Sequence, residues 1–227
     1  MKASHSKMDP LKVISFDLDN ALYDNQPVLE RAEALSAEFL KTEFLAQGRV
    51  FRVEQFSQIK LSLLASGDIR YENLSYSRQI ALQQFCQPLQ NNRTIADKAF
   101  QVFIQARSEV EIASEIYQLL CELKERYQLV SVSNGNCDPR RLSLALLFSG
   151  HYSASSGYRA KPHPQMLMKV LRDFGLRPDQ LLHVGDSIEK DGVAASRADV
   201  AFYHFAPFQP TSDLACCCRR LSEYLIT

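Results

Sequence analysis

The sequence predicts an α/β fold: a parallel sheet covered by helices on both faces, interrupted near its start by an all-helical insertion. Three observations carry that expectation. Short apolar, strand-like runs alternate with helical patterns through the second half of the chain. One further run, Lys12 to Asp17, stands alone near the start. Between the two, from Pro27 to about Ala106, apolar residues follow helical spacing with no strand pattern. Strands separated by helices imply right-handed crossovers and a parallel sheet, and such sheets bind ligands beyond the carboxyl ends of their strands.

The elements follow in order. Lys12 to Asp17 is the first expected strand. Val28-Leu29, Ala32, Leu35-Ser36 and Phe39-Leu40 repeat as an amphipathic helix that Gln47-Gly48 breaks. Val53 to Leu64 reads as a second helix ended near Gly67, Leu74 to Cys86 as a third, and Thr94 to Ala106 as a fourth capped by Thr94. Ile112 to Tyr127 is then a helix, Leu129 to Ser133 a strand, Arg140 to Phe148 a helix and Tyr152 to Ala154 a short strand. Pro164 to Phe174 is a helix with Gly175 as its left-handed cap. Leu181 to Val184 is a strand, Lys190 to Arg197 a short helix, Val200 to Tyr203 a strand, and Leu214 to Leu225 a closing helix.

At 227 residues the chain can hold one sizeable core, or a core plus a smaller inserted lobe. Lys plus Arg equals Asp plus Glu, 26 each, so no global field favours nucleic acid or an anionic membrane. An anionic ligand must therefore be held locally. The tail from Met1 to Pro10 is polar, without the apolar stretch of a signal peptide, and no run approaches a membrane span. The six cysteines lack paired zinc-site spacing, and the run Cys216-Cys217-Cys218 cannot supply a tetrahedral shell by itself. Reduced thiols and a cytoplasmic location are expected.

Asp17 and Asp19 place two carboxylates one residue apart where a buried strand ends. Residues i and i+2 share a face in a strand, so the pair can converge on one site. A polar turn capping a helix would use the same residues. A hard metal ion or an acid/base pair is the other reading, because crowded like charges need a cation or a shared proton. Three later segments also end strand-like runs in polar groups: Ser133, then Lys161, then Asp186 with Asp191. A parallel sheet puts all these ends on one edge. Together they offer the nucleophile, cations and proton donor that phosphoryl transfer requires.

Asp17-Leu18-Asp19, Ser133-Asn134-Gly135-Asn136, Lys161-Pro162 and Gly185-Asp186-Ser187-Ile188-Glu189-Lys190-Asp191 resemble, in order, the four motifs of the haloacid dehalogenase (HAD) superfamily. That likeness implies a Rossmann-like, HAD-like core over residues 10–24 and 107–227, with an α-helical cap over residues 25–106. Within the superfamily, Phe16 to Asp19 followed by Ala21 to Val28, with Val130 to Asn136 and His183 to Asp186, is most similar to bacterial flavin mononucleotide phosphatase-like proteins.

The resemblance implies a Mg2+-dependent phosphatase acting on a small phosphate ester, FMN or a related ribityl or sugar phosphate, with the oligomeric state left open. It implies that Asp17 attacks phosphorus and that Asp19 serves as acid and then base. Ser133, the Asn134 backbone N–H and Lys161 would hold the phosphoryl oxygens. Asp17, the Asp19 carbonyl and Asp186 would bind Mg2+, with Asp191 adding a carboxylate. A carboxylic acid at Asp19 favours phosphate chemistry over dehalogenation, which needs no proton donor there. The family usually has Thr where this chain has Ala21, so a weakly active or non-catalytic scaffold stands as the alternative. His163 and His183 are expected to be structural. Tyr71, Tyr76, Arg70 and Arg78 are weighed as ligand contacts from the helical segment against plain packing, and Tyr23 and Asn25 as hinge or pocket wall.

Overall fold

The computed structural model describes residues 11–137 and 139–226, so the tail from Met1 to Pro10 lies outside it. Five strands, β1 (Val13–Phe16), β2 (Gln128–Ser133), β3 (Gly150–Ser153), β4 (Leu181–Gly185) and β5 (Ala201–His204), form one sheet in the order β3-β2-β1-β4-β5. Every pairing is parallel. The chain builds β1, β2 and β3 in one direction, then returns to the other side of β1 for β4 and β5. The order therefore reverses beside β1, which is where such sheets open a crevice for ligands.

The residues of β1 are buried on both faces, as a central parallel strand requires. Ile14 and Phe16 pack with Leu129, Leu182 and Val184 against Ile116, Leu120 and Leu221 of helices α5 (Ser114–Lys124) and α8 (Leu214–Ile226). Val13, Val130, Val132 and Leu181 face Met166, Val170, Ala194 and Ala195 of α6 (Gln165–Asp173) and α7 (Val193–Arg197). The period-two alternation of side chains thus feeds two apolar layers.

Helices α1 (Asn25–Ala46), α2 (Val53–Ala65), α3 (Leu74–Cys86) and α4 (Asn92–Arg107) form a unit with its own apolar cluster. Along α1 the buried positions are Val28, Ala32, Ser36, Leu40 and Phe44, one per turn on a single face. Phe44, Phe51, Phe56 and Phe85 meet around the far end of that cluster. Ala32 and Ala106 let α1 and α4 approach closely, and buried Ser36 Oγ donates to the Ala99 carbonyl at 3.1 Å. Two further links tie the unit to the sheet. Arg159 donates from Nε and Nη2 to the Glu72 carboxylate, and the Asn73 side-chain amide donates to the Ser155 carbonyl at 3.3 Å.

Three sequence expectations change. The helix expected over Arg140 to Phe148 is two short 3-10 turns, Pro139–Arg141 and Ala145–Leu147. Leu142 and Leu144 are both buried, and a spacing of two cannot keep both on one helical face. Thr94 is not a cap: α4 begins at Asn92 after Asn91, which takes the left-handed conformation (φ 54°) that asparagine tolerates. The helix expected from Lys190 opens instead with a wide π turn, Ile188–Gly192, in which both Asp191 and Gly192 donate to the Ser187 carbonyl. Gly175 is left-handed (φ 60°) after α6, as expected.

Candidate active site

Asp17 follows β1 directly. Its backbone N–H donates to the Val184 carbonyl at 2.8 Å, which extends the ladder one residue and holds the side chain at the strand's carboxyl end. The chain then turns sharply. Leu22 N–H donates to the Leu18 carbonyl, Asn20 N–H donates to the Tyr23 carbonyl, and Asn20 adopts φ 62°. Leu18, Ala21, Leu22 and Tyr23 are buried beneath this turn, so it cannot drift. Asp24 then caps α1 by accepting from Gln26 N–H at 3.1 Å, which places Asn25 on the wall of the site.

One cavity of about 240 Å³ opens here, lined by Asp17, Asp19, Ser133, Asn134, Lys161, Asp186 and Asp191. The polar residues that end the strand-like runs in the sequence therefore reach the same space. Asn20, Asn25, Leu74, Gly135, Ser187 and Lys190 complete the lining, and Leu74 is its sole contribution from α3.

Lys161 is the electrostatic centre. It is buried, and its Nζ donates to Asp17 Oδ1 at 2.7 Å and to the Val132 carbonyl at 2.6 Å, and pairs with Asp191 Oδ1 at 2.5 Å. Burial works against its charge, but Asp17 and Asp191 outweigh burial and raise its pKa. The Asn134 side chain clamps the Lys161 backbone, accepting from its N–H at 2.7 Å and donating to its carbonyl at 2.8 Å. The Ser133 hydroxyl accepts from Gly135 N–H at 2.9 Å and so shapes the same loop.

Asp191 is held from three sides, by Lys161, by His183 Nε2 at 3.0 Å and by Ser187 N–H at 3.1 Å. Although burial opposes its charge, Lys161 and His183 hold its carboxyl well below the usual range. His183 is fully buried between Asp191 and Ser15 Oγ, burial lowers its pKa, and it does not line the cavity. Its role is structural, as expected. His163 Nδ1 likewise accepts from Gln165 N–H, at 3.2 Å.

Asp17 behaves differently. Burial first, with Asp191 and Asp19 adding to it against the pull of Lys161, pushes its carboxyl up to about 7. Burial and Asp191 also raise Asp186. The site thus crowds more negative charge than its lysines balance. Oxygen atoms of Asp17, Asp186 and Asp191 lie within 4.8 Å of one another, a hard, all-oxygen donor set that fits Mg2+. Asp191 already serves three donors and Asp17 one, so Asp17 and Asp186 would be freer to hold an ion.

Two site contacts escaped the sequence reading. Arg107 and Tyr23 both donate to Asp19 Oδ1, Arg107 at 2.6 Å. Nothing in a lone Arg at a helix end or a Tyr in a turn signals this pairing. The cationic and aromatic candidates in the helical segment do not line the cavity. Tyr71 and Tyr76 stack on each other with centroids 5.9 Å apart, Arg70 pairs with neighbouring Asp68, and Arg78 is buried against Glu33. Cys217 and Cys218 pack on the sheet cluster from α8 and all three cysteines of the run are free, so the run is mostly packing.

A family profile of haloacid dehalogenase-like hydrolases matches residues 11–199, most of the chain. The chain belongs to the haloacid dehalogenase-like hydrolase family. Among curated relatives, this HAD-like hydrolase is 25% identical over 192 residues to 5-amino-6-(5-phospho-D-ribitylamino)uracil phosphatase YigB of Escherichia coli (strain K12), covering 83% of this chain and 80% of that protein. A crystal structure of 2-haloacid dehalogenase from Pseudomonas syringae pv. Tomato DC3000 superposes with TM-score 0.82 at 26% identity, covering 94% of this chain and 99% of that one. The HAD-hydrolase YfnB from Bacillus subtilis, bound to magnesium, shares the fold with TM-score 0.62 at 16% identity, over 96% and 100% of the two chains. Among the described residues no helix is long and apolar enough to cross a membrane.

Proposed function

We propose that this hydrolase is a Mg2+-dependent phosphomonoester hydrolase acting on a small, hydroxylated metabolite through an aspartyl-phosphate intermediate. The observation that carries the reading is the convergence of Asp17, Asp19, Ser133, Lys161 and Asp186 on one cavity at the switch point of the sheet. Asp17 attacks phosphorus while the ester P–O bond breaks, and Asp19 gives its proton to the departing alkoxide. Asp19 then takes a proton from the water that hydrolyses the acyl phosphate. Ser133, the Asn134 backbone N–H and Lys161 stabilise the phosphoryl oxygens, with Lys161 already aimed at Asp17. Asp17, Asp186 and the Asp19 carbonyl, with Asp191, would hold Mg2+, which when bound would neutralise phosphate charge. Residues 25–106 are read as a cap domain over a core of residues 10–24 and 107–227, a division supported by the separate apolar cluster of α1–α4.

The cavity's chemistry narrows the substrate. Its walls are asparagine, serine, carboxylate and lysine, with Leu74 the one large apolar side chain. Asn25 lines the cavity, and its Oδ1 is the one buried side-chain polar atom without a partner among the described residues, an acceptor suited to a substrate hydroxyl. A volume of about 240 Å³ suits a phosphoryl group and a short polyol better than a tricyclic flavin, which asks for apolar walls. A ribityl or sugar phosphate is therefore favoured over FMN, in keeping with the ribityl phosphate named for the Escherichia coli relative.

A second reading is dehalogenation, favoured by the likeness to the Pseudomonas syringae structure. Asp19 in the cavity argues against it, because hydrolysis at carbon leaves no alkoxide to protonate. One assay separates the two: phosphate release from a panel of phosphate esters, with and without Mg2+, beside halide release from 2-haloacids. Phosphate release that EDTA silences and that Asp17→Asn abolishes is expected. Halide release without phosphate release, or full phosphatase activity in Asp17→Asn, would overturn the proposal.

A further inference from the structure

We propose that Arg107, together with Tyr23, is a positioning residue for Asp19, fixing which carboxylate oxygen carries the proton to the leaving group. The inference rests on the phosphatase reading above, in which Asp19 is the general acid. Arg107 is the last residue of α4 and is 2% exposed. A buried guanidinium is costly unless a carboxylate meets it, and here the carboxylate belongs to the reaction. Nη2 of Arg107 donates to Asp19 Oδ1 at 2.6 Å, while Nη1 donates to the Tyr23 hydroxyl at 3.2 Å. Tyr23 in turn donates its own proton to the same Oδ1. Two donors therefore occupy Oδ1.

That assigns the proton to Oδ2. A Cβ at residue 135 would fall 2.5 Å from Asp19 Oδ2, so this oxygen lies against the Ser133-Asn134-Gly135 loop that should hold the phosphoryl group. Oδ1 is tied down, and Oδ2 occupies the room that Gly135 leaves. As the P–O bond breaks, its electron pair stays on the ester oxygen and the Oδ2 proton moves there. The alcohol leaves neutral, and the charge left on Asp19 is met by the guanidinium already in place. The arrangement also links the end of the helical segment directly to the proton donor.

Leaving-group dependence separates positioning from mere structure. An alkyl phosphate needs a proton on its leaving oxygen, whereas p-nitrophenyl phosphate releases a stable anion without one. Asp19→Asn is expected to lose about 10²- to 10⁴-fold in kcat/KM on an alkyl phosphate such as glycerol phosphate, and far less on p-nitrophenyl phosphate, because kcat/KM ends with departure of the alcohol and leaves out the shared hydrolysis of the aspartyl-phosphate. Arg107→Met should show the same selectivity at smaller size, roughly tenfold or more in kcat/KM on the alkyl ester. Arg107→Lys should recover part of the loss. Should Arg107→Met not fold, Tyr23→Phe, which removes one donor and keeps the ring, is expected to give a smaller loss of the same selectivity. If Asp19→Asn is selective but the Arg107 or Tyr23 variant slows both esters equally, or neither, the positioning role is wrong. If Asp19→Asn itself lowers kcat/KM alike for both esters, the general-acid reading fails instead.

Discussion

Two arginines of the helical segment are buried, and they do opposite things. Arg78, on α3, donates from Nη1 to Glu33 at 3.1 Å, and its guanidinium lies 3.4 Å from the centre of the Phe103 ring. Lys60 reaches the same Glu33 at 2.7 Å. Every partner of that group lies within the helical unit, and the arrangement secures packing. Arg107, on α4, leaves the unit and pairs with a carboxylate on the cavity wall. The lesson is that a buried cation is informative only through its partner. The sequence leaves Arg78 open between ligand contact and packing, and it packs against Glu33 and Phe103. Arg107 draws no notice in the sequence and meets Asp19, the carboxylate proposed as acid and base.

The comparison can be broken from either side. The largest effect is expected from Gly135→Ala, which pushes a methyl group toward Asp19 Oδ2 while Arg107 prevents the carboxylate from retreating. Phosphate release from an alkyl ester should fall by about a hundredfold or more, read on folded enzyme well below its melting temperature. Retained turnover would show that Asp19 moves freely, and the contrast with Arg78 would vanish.

Arg78→Met should do the reverse. Glu33 is about a third exposed and keeps Lys60, so the loss should be about 1.5–3 kcal/mol, that of a hydrogen bond to a charged group, which thermal or urea unfolding would read, while kcat of the folded enzyme stays near wild type. Burial would lift the Glu33 carboxyl, but Arg78 and Lys60 outweigh burial and hold it below its ordinary value. A carboxyl depressed in the folded state stabilises above its unfolded pKa and loses that contribution as pH falls through the folded one. The stability gap between Arg78→Met and wild type should therefore narrow below about pH 4. A gap independent of acid would mean that the ion pair does not carry it.

The smallest effect tests the cavity rather than the arginines. Asn25→Ala removes the unpartnered acceptor, at about 0.5–1.5 kcal/mol for one hydrogen bond. The expected change in kcat/KM is up to about tenfold on a polyol phosphate and none on a phosphate ester lacking the hydroxyls. Equal losses on both would return Asn25 to a purely local role.

Most of the fold could be read from local pattern. All five strands and most of the helices fall where apolar spacing places them, because burial on both faces or on one face imposes a period that the chain must carry. The exceptions share a cause. The segment Arg140 to Phe148 has helical composition, yet Leu142 and Leu144 both insert into the core, and a tertiary demand overrides local preference. The π turn at Ile188–Gly192 is invisible in the sequence as well, although it carries Asp191 toward Lys161.

The sequence by itself determined which polar groups end the strands, and a parallel sheet then obliges Asp17, Ser133 and Asp186 to meet at one edge. That inference needs only chain order and strand direction, which are local properties. What the tertiary structure alone decided is how charge is shared there: Lys161 between Asp17 and Asp191, Arg107 on Asp19, Arg78 turned away to Glu33. Arg107 and Asp19 are 88 residues apart. No periodicity or turn rule relates side chains at that distance, since their pairing depends on where a whole helix ends against a loop.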